Sequence, residues 1–134
     1  IALCVIDKSE MTMEYAGAYN PIYQVKNGIL TKLATDKIPI HLFSKNTDKK
    51  FTSYQIKIES GDAYYLFSDG YADQFGGEDG KKFNYRNFQE LILSIQNLSM
   101  TEQRQVFNNT IEEWKIKSDE EQTDDILIVG FRVP

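Results

Sequence analysis

One stretch decides the architecture of this chain: Ala63-Tyr64-Tyr65-Leu66-Phe67-Ser68-Asp69-Gly70, in which an apolar run ends in an acidic turn. Tyr64 to Phe67 is apolar at every position, which predicts a strand buried on both faces. A second motif, Asp124-Asp125, stands just before the apolar run from Ile126 to Val129, which predicts another central strand. Each motif therefore places a carboxylate where a buried strand meets a loop.

The two motifs are expected to meet at one edge of a sheet. Asp69 follows its strand and Asp124 precedes its own, so only antiparallel pairing brings them together. Adjacent strands lie roughly 4.8 Å apart, which allows the carboxylates to share a cation. Hard cations such as Mg²⁺ and Mn²⁺ prefer carboxylate oxygens, and a phosphate-ester hydrolase uses such a site. Each motif alone is more often structural, since Asp-Gly is a turn signal and Asp-Asp is often a solvated loop.

The first two-thirds of the chain reads mainly as strands. Asp7 to Glu10 separates two apolar runs and suits a hairpin turn. Asn27-Gly28, between the runs Ile22 to Val25 and Ile29 to Leu33, is a stronger hairpin signal. In the strand from Tyr54 to Ile58, apolar residues alternate with polar ones, so one face of the strand is expected to be exposed to solvent.

The region after these strands reads as two helices. Helical spacing first links five apolar residues, namely Phe88, Leu91, Ile92, Ile95 and Leu98. Ser99 and Glu102 predict a capping box that opens a second helix, in which Trp114 is a packing anchor. The order of strands, two helices and a final strand predicts an α+β fold, a partial α-β-β-α sandwich of mostly antiparallel strands.

Composition narrows the class of protein. The chain has 134 residues, 41% of them hydrophobic and 26% charged, which is ordinary for one globular domain or part of one. A net charge of -5 argues against nucleic acid as a partner. The sequence contains no run of the roughly 20 apolar residues that a membrane span requires. Cys4 is the single cysteine and is read as a buried structural thiol, which is compatible with the cytoplasm.

Other candidate residues have weaker signals. Asp69, Asp73, Glu78 and Asp79 form an acidic cluster, but their spacing does not fit a calcium-binding EF-hand loop. Asp73 is read as a solvated carboxylate, with a supporting hydrogen bond at the metal site as the alternative. His41, the only histidine, is read as an exposed loop residue.

Several segments, taken in order and with their spacing, carry a family resemblance. They are Met13 to Pro21 (MEYAGAYNP), Ile38-Pro39-Ile40, Ser60-Gly61-Asp62, Tyr64 to Gly70, Asp73 to Gly77 (DQFGG), Lys81-Lys82-Phe83 and Gln122 to Val129 (QTDDILIV). Together they resemble the C-terminal part of a PPM-type serine/threonine phosphatase domain, of the protein phosphatase 2C fold, in the bacterial SpoIIE/RsbU-like branch. The resemblance covers nearly the whole chain.

The resemblance implies a partial set of metal ligands. Asp69 matches the aspartate of the family's Ser/Thr-Asp-Gly motif, with Gly70 as its supporting glycine, and Asp124 matches the aspartate near the C-terminus. Asp125 is the weaker candidate, because relatives have Asp or Asn there. The intact domain is expected to hold two Mn²⁺ or Mg²⁺ ions that activate a water for in-line attack on phosphorus.

The chain also departs from the family. The family's Gly-Asp metal motif, which precedes these segments, is absent, and Gly61-Asp62 matches a different turn. We therefore expect residues 1–134 to be the C-terminal part of one domain that lacks its N-terminal part and is inactive alone. Tyr19 replaces the family's usual His, and His41 stands where relatives often have Gly.

The implied function is dephosphorylation of a phosphoserine or phosphothreonine on a regulatory protein, often of the anti-anti-sigma type, in bacterial signalling. An upstream sensor region in the same chain is expected to control it. The compartment implied is the cytoplasm, with tethering of the parent protein to a membrane through upstream segments left open. The alternative is a catalytically inactive pseudophosphatase that serves as a regulatory protein-binding module. The upstream sequence discriminates between the two, because only the enzyme needs the missing metal motif.

Overall fold

The computed structural model of the chain describes residues 1–40 and 50–134. His41, interpreted above as an exposed loop residue, lies outside the described residues. Two antiparallel sheets stack face to face, and a layer of helices covers the outer face of one of them. This confirms the α+β prediction and gives three layers in the order helices, sheet, sheet.

The first sheet has the order β1-β2-β5, with β1 at Ala2–Asp7, β2 at Thr12–Gly17 and β5 at Tyr54–Lys57. The β1–β2 turn is held by the Asp7 carboxylate, whose Oδ1 accepts hydrogen bonds from the Ser9 N–H at 2.8 Å and the Ser9 hydroxyl at 2.6 Å. In β5 the side chains alternate between half-buried and exposed, as predicted.

The second sheet has the order β4-β3-β6-β9 and carries both acidic motifs. Its strands are β3 at Tyr23–Lys26, β4 at Ile29–Lys32, β6 at Ala63–Phe67 and β9 at Ile128–Arg132. Asn27 (φ 51°) and Gly28 (φ 76°) both have positive φ, as a two-residue hairpin turn between β3 and β4 requires.

Three helices accompany the sheets within residues 1–40 and 50–134, whereas the sequence predicted two. The predicted pair is α2 at Asn84–Ser94 and α3 at Met100–Ile116, and the Ser99/Glu102 capping box opens α3. The unpredicted one is α1, a single turn at Gly70–Asp73. A short hairpin that was also missed follows it, with β7 at Phe75–Gly76 and β8 at Lys81–Lys82. Elements of two to four residues are too short to show a period in the sequence.

Two apolar clusters hold the layers together. One lies between α2, α3 and the second sheet, where Phe88 is fully buried and its ring stands 5.0 Å from that of Phe67 and 5.1 Å from that of Tyr71. The other lies between the two sheets and includes Met13 and Tyr64, both fully buried. Burying a side chain of this size stabilises the fold by roughly 2–3 kcal/mol. Cys4 packs at the edge of the second cluster, where burial raises the pKa of its thiol.

The prediction that the last strand is central was wrong. Among the described residues, β9 is the outermost strand of its sheet, and Leu127 and Val129 are 61% and 50% exposed. Ile128 points the other way and packs on the helix-side cluster. The physical reason is that β9 pairs on one side only, with β6, and the described residues leave the outward-alternating side chains uncovered.

No helix within the described ranges combines the length and the apolar character that crossing a bilayer requires.

Candidate metal centre

The strands β6 and β9 are antiparallel neighbours, as the positions of the two acidic motifs predicted. Their register places Phe67 opposite Ile128, and the pairing is prolonged beyond the strands by a hydrogen bond from the Ser68 N–H to the Leu127 carbonyl oxygen at 3.0 Å. The Ser68-Asp69-Gly70 turn and the Asp124-Asp125 segment therefore lie at the same end of this strand pair.

The hydroxyl of Ser68 fastens the two segments together. Its Oγ donates to the Asp125 carbonyl oxygen at 2.7 Å and accepts from the Leu127 N–H at 2.9 Å. The Ser68 side chain thus replaces a backbone–backbone hydrogen bond of the sheet at the point where the two strands diverge. The Ser-Asp-Gly motif does not predict this role of Ser68, because its partners lie 57 and 59 positions away in the chain.

Gly70 has a steric role at the same point. A Cβ added at this position would collide with the Asp125 carbonyl oxygen, so only glycine lets the first turn of α1 approach the loop so closely. This close approach gives a physical basis for Gly70 as a supporting residue.

The three candidate carboxylates are all solvent-exposed, and they differ in their hydrogen bonds. Asp69 precedes α1 but makes no side-chain capping bond. Asp124 accepts a hydrogen bond from the Asp125 N–H to its Oδ1 at 2.8 Å, so its side chain is oriented by the loop itself. Within residues 1–40 and 50–134, no three His, Cys, Asp or Glu side chains stand close enough together to hold a metal ion.

Tyr85 and the Asp73–Lys82 ion pair are the features next to Asp69 at this edge. Tyr85, on the first turn of α2, is 40% exposed, and burial raises the pKa of its phenol, as do the negative charges of Asp73 and Asp69. Tyr85 therefore lies close enough to both carboxylates for their charges to affect its phenol, and no motif in the sequence indicates this. Asp73 forms an ion pair with Lys82, with 3.1 Å between Oδ1 and Nζ, so its carboxylate interacts with the β8 strand.

The donor chemistry fits a hard divalent cation, but only as part of a ligand set. Asp69, Asp124 and Asp125 offer anionic oxygens at one exposed edge, on a frame fixed by the Ser68 hydroxyl and by the close contact at Gly70. A structural ion pair would place a Lys or Arg against these carboxylates, and the ion pairs among the described residues involve other acidic groups.

Comparison with known proteins identifies the family and the fold of the chain. The family model of stage II sporulation protein E (SpoIIE) matches residues 1–134. The SiaA-PP2C domain of Pseudomonas aeruginosa is similar, with a TM-score of 0.86 and 27% identity, and the match covers 99% of this chain and 51% of that one. A comparison with curated proteins gave no match.

Two more distant structures share the fold. The phosphatase domain of the cell-fate determinant SpoIIE from Bacillus subtilis has a TM-score of 0.62 and 14% identity, covering 99% of this chain and 57% of that one. The RsbU and RsbW domains of a Mycobacterium tuberculosis protein have a TM-score of 0.67 and 17% identity, covering 98% and 35%. The chain thus spans about half of the SiaA-PP2C and SpoIIE domains. The family match over its whole length shows that it belongs to the SpoIIE family of PP2C-like phosphatase domains.

Proposed function

We propose that this chain is the C-terminal part of a metal-dependent protein serine/threonine phosphatase domain. The observation that carries the proposal is the β6–β9 pair, which brings Ser68-Asp69-Gly70 and Asp124-Asp125 to one edge. Asp69 and Asp124 are the proposed ligands of Mn²⁺ or Mg²⁺, and Asp125 is a weaker one. Cations bound there would supply an activated water for attack on phosphorus and neutralise charge on the phosphoryl oxygens.

The chain's own residues have distinct tasks in this proposal. Asp69 is held at the start of α1 with its carboxylate exposed. The Ser68 hydroxyl fixes the carbonyl of Asp125, and Gly70 leaves room for that carbonyl. Together they set the distance between the two acidic segments before any cation arrives, which is the kind of support that tunes a metal site.

The remainder of the domain is proposed to supply both structure and a further ligand. Within the described part of the chain, β1 and β9 are edge strands that each pair on one side, and apolar side chains in or next to them are exposed, namely Leu3 (67%), Val5 and Leu127. Exposed apolar edge strands are unusual unless they are covered. We propose that the part of the domain preceding these residues covers this side and carries the acidic motif that completes the two-ion site.

The proposed substrate is a phosphoserine or phosphothreonine on a regulatory protein, with an anti-anti-sigma-type protein as the candidate, under control of a sensor region in the same chain. The net charge of -5 gives no support to a nucleic-acid substrate. The family resemblance further implies that the domain works in the cytoplasm. Manganese is the first ion to test, since one structure of the Bacillus subtilis SpoIIE domain was obtained after Mn presoaking.

The test compares residues 1–134 with a longer protein that includes the preceding part of the domain. With millimolar Mn²⁺ and p-nitrophenyl phosphate or a phosphoserine peptide, the longer protein is expected to turn over and residues 1–134 are not. Robust metal-dependent turnover by residues 1–134 would contradict the need for an upstream ligand. A folded longer protein without turnover on any phosphopeptide supports the alternative of a pseudophosphatase that binds a regulatory partner.

A further inference from the structure

The loop that carries Asp124 and Asp125 has little structure of its own. It runs from the end of α3 to the start of β9, and residues 119–125 are all exposed. Exposed irregular segments of this kind are ordinarily mobile, yet a metal ligand has to be held in place. Ser68 fastens the end of the loop at Asp125 and Leu127. Its beginning needs a second attachment.

Gln74 provides that attachment. Its side chain is 1% exposed, and its Nε2 donates hydrogen bonds to the Glu121 carbonyl oxygen at 2.9 Å and to the Phe75 carbonyl oxygen at 3.0 Å. The bond to Glu121 joins residues 47 positions apart in the chain. It ties the loop to the segment that follows α1, and α1 itself begins directly after Asp69.

The backbone of Gln74 is fixed just as firmly. Its carbonyl oxygen accepts from the Phe83 N–H at 2.8 Å and from the Trp114 indole N–H at 3.2 Å. The Trp114 carbonyl oxygen in turn accepts from the Gly77 N–H at 2.8 Å. The end of α3, the β7–β8 hairpin and the turn after α1 are therefore joined around Gln74, so this residue is a rigid point from which to hold a loop.

The side-chain oxygen of Gln74 indicates why this position is occupied by a glutamine. Its Oε1 is buried and has no hydrogen-bond partner among the described residues. Burying an unpaired acceptor is unfavourable, and a methionine would fill similar space without that cost. Packing alone therefore does not explain why residue 74 carries an amide, whereas the hydrogen bond from its Nε2 to the Glu121 carbonyl oxygen does.

We propose that Gln74 is a positioning residue for the acidic loop. By holding Glu121, three residues before Asp124, it limits Asp124 to a reach of about 10 Å from a fixed point. With Ser68 at the other end, the segment from Glu121 to Asp125 is attached on both sides. The consequence for metal binding rests on the proposed function, whereas the effect of Gln74 on the loop does not.

Gln74→Met is the variant that tests this, and Gln103→Met is its matched control. Gln103 is also 1% exposed and also makes two side-chain hydrogen bonds, from the Tyr65 hydroxyl at 2.8 Å and to the Leu98 carbonyl oxygen at 3.0 Å. Neither of these partners belongs to the acidic loop. Both variants remove a buried amide from the core, so only an effect specific to the loop separates them.

Two measurements on the intact protein give the readout. In Gln74→Met, the order parameters of the amides of residues 121–125 are expected to fall from about 0.85 to below about 0.6, while those of the strands stay unchanged. The Mn²⁺ concentration that broadens the amide signals of Asp69 and Asp125 is expected to rise about tenfold. Gln103→Met is expected to alter neither.

The proposal is overturned if the loop keeps its order in Gln74→Met, or if Gln103→Met loosens it equally. If Gln74→Met does not fold, the wild-type protein decides: contacts from the Gln74 side-chain amide protons to Glu121 and Gln122 in nuclear Overhauser spectra support the attachment, and their absence refutes it. A wild-type protein that shows no Mn²⁺ response counts against the proposed function, whereas the order of the loop still decides the role of Gln74.

Discussion

The strand β6 has an aspartate near each end, and the two aspartates are used in opposite ways. Asp62 precedes the strand and is only 3% exposed. Its Oδ2 accepts hydrogen bonds from the Glu59 N–H at 3.1 Å, the Tyr64 hydroxyl at 3.3 Å and the Gln24 side-chain amide at 3.4 Å. Burial and the negative charge of Asp62 both raise the pKa of Tyr64, which keeps its phenol protonated as a donor.

Asp69, after the other end of β6, is exposed and has no donor from the described residues. Both aspartates stand beside a glycine, in Gly61-Asp62 and Asp69-Gly70, so their neighbours in sequence look alike. The difference is that the protein supplies donors to one carboxylate and leaves the other open to solvent. A carboxylate satisfied by its own fold is structural, whereas one held rigidly without a partner is available to a cation.

The largest effect is expected on phosphatase activity, from substitutions at the exposed end of β6 and at the neighbouring Asp124. In the intact protein, Asp69→Asn or Asp124→Asn should lower Mn²⁺-dependent phosphatase activity by about 10³-fold or more, because each change removes an anionic ligand and keeps the side-chain shape. The melting temperature should not fall. Asp79→Asn is the control, since Asp79 is exposed and paired with Lys81 at 2.8 Å in the hairpin. Wild-type turnover in both site variants at saturating Mn²⁺ would make the site assignment wrong.

The buried end should respond in stability rather than activity. Asp62→Ala is expected to lower the free energy of unfolding by about 2–4 kcal/mol, because it leaves the Tyr64 hydroxyl and the Glu59 N–H without their acceptor. Asp69→Ala should change stability by no more than about 0.5 kcal/mol. Urea unfolding of both variants provides the measurement. Equal losses would remove the distinction between the two ends of β6.

The sequence was sufficient for features that depend on local pattern. The Asn27-Gly28 hairpin, the Ser99/Glu102 capping box and the antiparallel relation of β6 and β9 are all present. Each follows from a short motif or from chain direction. The apolar run from Ile126 to Val129 was predicted to be a central strand, and this was wrong for the described residues. A run of apolar residues does not reveal whether a strand is central or outermost, because that depends on which strands pair with it.

The hydrogen bonds that support the candidate site could not be predicted from the sequence. Ser68 bonds to Asp125 and Leu127, and Gln74 bonds to Glu121, between residues that are 47 to 59 positions apart in the chain. No periodicity or spacing rule links residues so far apart. Asp62 differs from Asp69 in its burial and in its donors, of which Glu59 and Tyr64 are near in sequence and Gln24 is 38 residues away. Burial and hydrogen-bond donors, and not the adjacent glycine, therefore separate this structural carboxylate from the available one.

A smaller effect is expected at Asp125, whose backbone matters more than its side chain in the described contacts. Its carbonyl oxygen accepts from Ser68, and its N–H donates to Asp124. Asp125→Asn preserves both bonds and should lower activity by no more than about tenfold, because it alters only the weaker proposed ligand. Steady-state kinetics at several Mn²⁺ concentrations would show this as a weaker apparent metal affinity. A loss as large as that of Asp124→Asn would instead make Asp125 a principal ligand.

The smallest effect concerns Glu102, an exposed carboxylate that the fold nevertheless uses. The Ser99 hydroxyl and N–H donate to its Oε2 at 2.7 and 2.8 Å, and these bonds lower the pKa of Glu102 below the ordinary value of 4.5. A carboxyl group whose pKa is lower in the folded state adds stability above its unfolded pKa and loses that stability as the pH falls through its folded pKa. The difference in free energy of unfolding between wild type and Glu102→Gln should therefore shrink between about pH 6 and about pH 3. In a Ser99→Ala background the pH-dependent effect of the same substitution should be smaller but not absent, because the hydroxyl donor is lost while the backbone N–H of residue 99 still donates to Glu102. If the difference in free energy of unfolding between wild type and Glu102→Gln stays constant with pH, the fold does not depend on the Glu102 carboxylate, just as it does not depend on that of Asp69. Exposure alone would then be enough to distinguish available carboxylates from structural ones.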